Sequence, residues 1–193
     1  MTSDAAPDAV VESRAYEDDK GRKRLTLAIR SDLSIEAQIT APGATWIDRQ
    51  LLTRDPPISH AGFGGDVHAA MASRIDRLVE QGLALRRGRQ MIFARDLLAR
   101  LRRQELDEVA TKLASETGLA HEPLVEGAPV AGIYRQRVTL SSGRFAMIDD
   151  GLGFQLVPWR PALEQHLGME VRGMALPNGA IDWSFGRKRG LSI

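Results

Sequence analysis

Between Gly118 and Pro129 the spacing of apolar residues changes from a helical to a strand period, and this change constrains the fold more than any other feature. Before it, Val67, Met71, Ile75, Leu78 and Val79 recur at steps of three and four. So do Leu97, Leu98, Leu101, Leu106, Val109, Ala110 and Leu113. Such spacing puts one apolar stripe on each of two helices. After it, short apolar runs are separated by the turns Ser141-Ser142-Gly143, Asp150-Gly151-Leu152-Gly153 and Pro177-Asn178-Gly179. Glycine and Asn/Asp at such points supply backbone angles that strands cannot continue through. The class read from this order is α+β, with helices first and strands after.

Residues 1–21 are polar, acidic and aperiodic, and are expected to form a tail without fixed structure. Residues 22–120 are read as a mainly helical domain, 121–129 as a linker, and 130–193 as a small β domain. Leu25, Leu27 and Ile29 alternate as in a strand, and residues 31–40 fit a short helix or a loop. Thr45 is placed to cap a helix, with Asp48 reaching back to it, and Asp55-Pro56-Pro57 ends that helix. A second helix runs from Asp66 to Gln81 and stops at Gly82. It leads into two short strands, Leu83–Leu85 and Met91–Phe93, around a turn bearing Arg86, Arg87 and Arg89. A helix entering a basic hairpin is the layout of a recognition helix and wing, so the N-terminal half is predicted to be winged-helix-like. Asp96 is placed to cap a third helix, running to about Thr117. The C-terminal half supplies five strands and one helical turn from Pro161 to His166. It is predicted to close as a small antiparallel five-stranded barrel of SH3-like or OB-like type.

The chain has no cysteine, which excludes disulfides, thiolate metal sites and a Cys nucleophile. It has no signal peptide and no apolar run of about 20 residues, so a cytoplasmic location without a membrane partner is expected. The formal net charge of +1 hides a strong segregation. Residues 73–103 carry nine bases and three acids, and residues 129–193 eight bases and five acids. Residues 104–127 between them carry six acids and one base. Two basic zones either suit a polyanion such as DNA or are solvated faces.

No reaction is named by the motifs. His60, His68, His121 and His166 are scattered, without the close pairing that presents two imidazoles to a metal. Asp149 and Asp150 are adjacent, point to opposite faces if in a strand, and read better as a turn. Gly62-Phe63-Gly64-Gly65-Asp66 lacks the Gly-Lys-Ser/Thr end of a phosphate loop. Ser141 and Ser142 have no matched His and acid, and Tyr134 reads as a core-edge aromatic. Trp159 and Trp183 are read as core residues or as base-stacking platforms. The expectation is no catalytic residue, no metal and no cofactor.

Four stretches carry a family resemblance: ATWIDRQLL at 44–52, LVEQGLA at 78–84, YRQRVTLSSGRFAMIDDGLGFQLVPWRP at 134–161, and DWSFGRKRGL at 182–191. Together they resemble an uncharacterised domain in the C-terminal part of VirD-type relaxases, the mobilisation nucleases of conjugative plasmids and integrative elements. The resemblance spans roughly Leu25 to Ile193. It implies a relative of enzymes that nick a transfer origin with a Tyr nucleophile and a His-held metal. That chemistry belongs to an N-terminal nuclease domain whose residues this sequence lacks, so the chain reads as a fragment or a free-standing copy of the accessory region.

The function expected is a non-catalytic DNA-binding accessory module acting near the transfer origin. Its expected contacts are Arg74 and Arg77 on the second helix, Arg86, Arg87 and Arg89 on the hairpin, Arg135, Arg137 and Arg144 on the barrel, and Arg187, Lys188 and Arg189 near the C-terminus. Alternatives are a protein-interaction module that docks relaxosome or type IV coupling proteins, and a free-standing winged-helix regulator.

Overall fold

The computed structural model describes residues 9–53, 58 and 60–185. It divides into two compact units, Met1–Gln104 and Glu105–Ile193.

The first unit opens with an antiparallel ribbon, β1 (Val10–Glu17) and β2 (Lys23–Ser31). Residues 10–17 were expected to lack fixed structure. Their partner strand supplies the ladder that composition alone could not reveal. The ribbon turn is held by Asp18, whose carboxylate accepts from the backbone amides of Lys20 and Arg22 and from the Nε of Arg22 and Arg24, at 3.0–3.1 Å.

Three helices follow. The undecided stretch 31–40 contains α1 (Ile35–Thr40), capped by Ser34. The predicted Thr45 cap is present on α2 (Trp46–Leu52), as a full capping box with Asp48. α3 (Phe63–Glu80) starts three residues earlier than its spacing suggested. Its end is closed by Gly82 at φ +69°, with the Leu83 amide donating to the Leu78 carbonyl at 2.8 Å. Ile35, Ile47, Val67 and Ala70 form one core cluster, and Leu78, Leu83, Leu97 and Leu101 another.

β3 (Ala84–Arg87) and β4 (Gln90–Phe93) form the predicted hairpin, and α4 (Leu97–Thr117) follows. The expected winged-helix half is nevertheless not what forms. The N-terminal half begins with a ribbon, its β3–β4 hairpin is a separate two-stranded sheet, and the division between units falls inside α4.

In the second unit, β5 (Ala120–His121), β6 (Pro129–Leu140), β7 (Gly143–Asp149), β8 (Gly153–Pro158), β9 (Glu170–Ala175) and β10 (Ile181–Trp183) make one sheet in the order β10-β9-β6-β7-β8-β5. The expected five-stranded antiparallel barrel is therefore corrected to a six-stranded mixed open sheet. β5 runs parallel to β8, and the edge strands β5 and β10 have two and three residues, too short to pair and close it. His121, expected in a linker, belongs to β5. β6 bears a bulge between Tyr134 and Gln136, pairing with β9 through its first half and with β7 through its second. One sheet face buries Val130, Tyr134, Ala146, Ile148, Val157 and Val171 with Leu163 of the 3-10 turn Pro161–His166. The other face packs Met147, Phe154 and Leu156 against Ala110 and Leu113 of α4.

Candidate nucleic-acid interface

The hairpin tip is Arg86, Arg87, Gly88 and Arg89, all exposed. Gly88 has φ +61°, a backbone conformation that a side chain would strain. The pairing of Arg87 with Gln90 and of Arg86 with Met91 splays successive guanidiniums to opposite sides of the ribbon. Arg86 donates from Nη2 to Asp76 of α3, with both side chains 61% exposed. Among the described residues no carboxylate pairs with Arg87 or Arg89. The net positive charge of the tip therefore resides on those two.

Arg74, expected to reach DNA from α3, is fully buried. Its Nε donates to Asp48 Oδ1 at 2.8 Å and its Nη2 to Asp48 Oδ2 at 2.9 Å. Its remaining donors go to the carbonyls of Ile39, Ala41 and Gly43. Every N–H of the guanidinium is engaged, so none is left for a ligand, and Arg74 is a structural residue. Arg77 is half-buried, with its Nε shielded and unpaired among the described residues. Helix α3 therefore presents little charge to a partner from these two positions.

In the second unit Arg137 of β6 and Arg144 of β7 meet at one indole. Their guanidinium carbons lie 5.2 and 5.8 Å from the Trp159 ring centroid. The register places Arg137 opposite Ala146 and Arg144 opposite Thr139, so both lie on one sheet face. Arg137 also contacts Glu164 at 3.4 Å, which neutralises part of this patch. Arg135, the bulged residue, is turned to Asp149, with Nε 2.8 Å from Oδ2. Arg187, Lys188 and Arg189 lie outside the described residues.

The remaining polar residues have structural partners. Asp149 accepts from the Gly151 amide at 2.7 Å, and Asp150 from those of Leu152 and Gly153 at 2.9 and 2.8 Å, so the Asp pair shapes a turn. The Gly153 and Leu152 amides hold the Asp150 carboxyl below its usual range. Tyr134 is 1% exposed, and burial pushes its hydroxyl above the ordinary tyrosine range, against smaller pulls from Trp159 and Arg137. Trp159 and Trp183 pack at the edge of the core. His60 and His68 stack at 4.1 Å, and His68 Nε2 lies 3.1 Å from the Ile58 carbonyl. Among the described residues no group of three or more His, Asp or Glu is assembled that could hold a metal, and no helix is long and apolar enough to cross a membrane.

Residues 4–192 match the family described as "protein of unknown function" (DUF3363). The chain belongs to this family. No curated protein and no solved structure matches it. What the DUF3363 chain assembles is thus a basic hairpin tip in one unit and a two-arginine indole site in the other. Sequence spacing exposed the first because its residues are neighbours. It missed the second grouping, because Arg137, Arg144 and Trp159 come together only through strand pairing.

Proposed function

We propose that the chain is a DNA-binding accessory module of conjugative mobilisation, without catalytic residues of its own, acting at the transfer-origin region in the cytoplasm. The observation that carries this reading is the β3–β4 tip, where Arg87 and Arg89 project from a short ribbon without acidic partners among the described residues. A guanidinium so placed forms charge-assisted hydrogen bonds to phosphate, and each phosphate neutralised releases counterions. The resemblance to the C-terminal region of VirD-type relaxases supports the choice of transfer-origin DNA. Arg137 and Arg144 add a second basic surface that fits the same partner. Titrating labelled transfer-origin DNA, single- and double-stranded, against the chain at low salt tests the reading, and absence of binding contradicts it.

A second reading is favoured by an apolar pair on the hairpin face that also carries Arg87. Leu85 and Ile92 sit directly opposite each other and are 61% and 44% exposed. Such a cross-strand apolar pair suits a protein partner such as a relaxosome or coupling component. Leu85→Ser would weaken that docking while leaving DNA affinity in place.

A further inference from the structure

A groove of about 690 Å³ in the first unit lies between the root of the ribbon and the helices α2 and α3. Val11 and Ile29 line it from the ribbon, Trp46 from α2 and Phe63 from α3. Val11, Ile29 and Phe63 are 44%, 41% and 57% exposed, so this apolar lining meets water. The polar lining is Glu12, Arg30, Arg49 and Gln50. Arg30 and Glu12 bond to each other, with Nε 2.6 Å from Oε2. That leaves Arg49 as the net charge of the groove, with no carboxylate paired to it among the described residues.

The surroundings of Arg49 favour an anion. Arg102 is held below the ordinary arginine range, first by burial and then by the charge of Arg49. An anion seated on Arg49 offsets that repulsion. On the other side of Val10, Val11 and Phe63, a cleft of about 610 Å³ carries Glu36 and Asp66. Those carboxylates repel an anion, so it is directed to the Arg49 side.

A fitting ligand has a flat body for Trp46 and Phe63, an anionic group for Arg49, and an edge that pairs with an amide. We propose that the groove takes one nucleoside phosphate, with its base against Trp46 and Phe63, its phosphate on Arg49 and a base edge on the Gln50 amide. The volume is in the range of small-ligand pockets. Stacking on aromatic side chains tolerates any base, whereas the Arg49 contact requires the phosphate. The source is an unpaired nucleotide of DNA or a free nucleotide. The first rests on the DNA-binding reading above.

The test uses the full chain and calorimetric titration with the 5′-phosphorylated thymidine dinucleotide, with thymidine monophosphate and with thymidine. Saturable 1:1 binding of the dinucleotide is expected, with thymidine about tenfold weaker or worse. Arg49→Ala and Phe63→Ala alter exposed side chains, and each should weaken dinucleotide binding about tenfold. The Arg86/Arg87/Arg89→Ala variant, which leaves the groove intact, should bind it within about twofold of the parent. Equal affinity for the monophosphate supports the groove and assigns free nucleotide as the source. Failure of the dinucleotide to saturate at about 10 mM overturns the groove, as does binding unaffected by both groove substitutions. Either result leaves the DNA reading standing if long DNA still binds. Conversely, dinucleotide binding without any affinity for long DNA supports the groove and contradicts the DNA reading.

Discussion

Arg74 and Asp48 share two hydrogen bonds, of 2.8 and 2.9 Å, with both side chains fully buried. The same carboxylate accepts from the Thr45 amide at 2.8 Å and from its hydroxyl at 3.0 Å. One ion pair thus joins the cap of α2, the carbonyls that end α1, and the middle of α3. A buried charge left without its partner is costly, and here five acceptor oxygens depend on one guanidinium. Arg74→Ala should lower the unfolding free energy by about 3–5 kcal/mol in chemical denaturation. The double variant Asp48→Leu/Arg74→Met should lose less than either single removal, because it leaves no uncompensated charge.

Glu105 has an equivalent role in the second unit. It is 3% exposed and accepts from the backbone amides of Ser141 and Ser142, at 2.7 and 3.0 Å, and from both hydroxyls. The carboxylate therefore fixes the β6–β7 turn to α4. Glu105→Ala strands these donors and should cost about 2–4 kcal/mol, while faster amide exchange at Ser141 and Ser142 reports the released turn. Glu105→Gln should retain part of the effect, since its amide keeps one acceptor oxygen.

Gly173 sits where β9 pairs with β10. A Cβ there would lie 2.6 Å from Ile181 Cγ2 and 2.7 Å from the Asp182 carbonyl oxygen. Gly173→Ala should displace β10 and lower stability by about 1–3 kcal/mol, with the Trp183 emission shifting to longer wavelength. The unshifted spectrum of Gly179→Ala, at a site with open space around it, is the comparison that separates crowding from backbone strain.

His121 meets the Phe154 ring at 5.2 Å with the planes tilted by 45°, and titrates below its usual 6.5, chiefly because of burial, with the charge of Asp107 pulling the other way. The unfolded chain therefore takes up this proton first. The stability held by the neutral ring is complete above about pH 6.5 and is lost as pH falls toward the folded-state value. Thermal unfolding between about pH 7.5 and 5.5 should show a decline in Tm that His121→Gln makes shallower.

What was legible in the sequence was local. Thr45 and Asp48 lie three residues apart, so their capping box could be read directly. Gly82, the 84–93 hairpin and the Asp149–Gly153 turn are equally short-range. Arg74 looked like a surface cation because its partner Asp48 is 26 residues away. β1 looked like a tail because its apolar residues make sense only beside β2. β5 comprises only Ala120 and His121, below the length at which alternation can be seen, yet it alters the sheet from antiparallel to mixed. The Arg137–Trp159–Arg144 grouping depends likewise on register across three segments.

Phosphate binding at the β3–β4 tip underlies the proposed function. Its most direct measurement is the affinity for labelled transfer-origin DNA over a range of salt, in the parent and in Arg87→Ala/Arg89→Ala. Each phosphate that the tip no longer neutralises should reduce the slope of log K against log salt by about 0.9 on duplex DNA, so the double variant should lower the slope by about 2. Adding Arg86→Ala should change it less, because Asp76 already neutralises that guanidinium. An unchanged slope and affinity in the double variant would contradict the account.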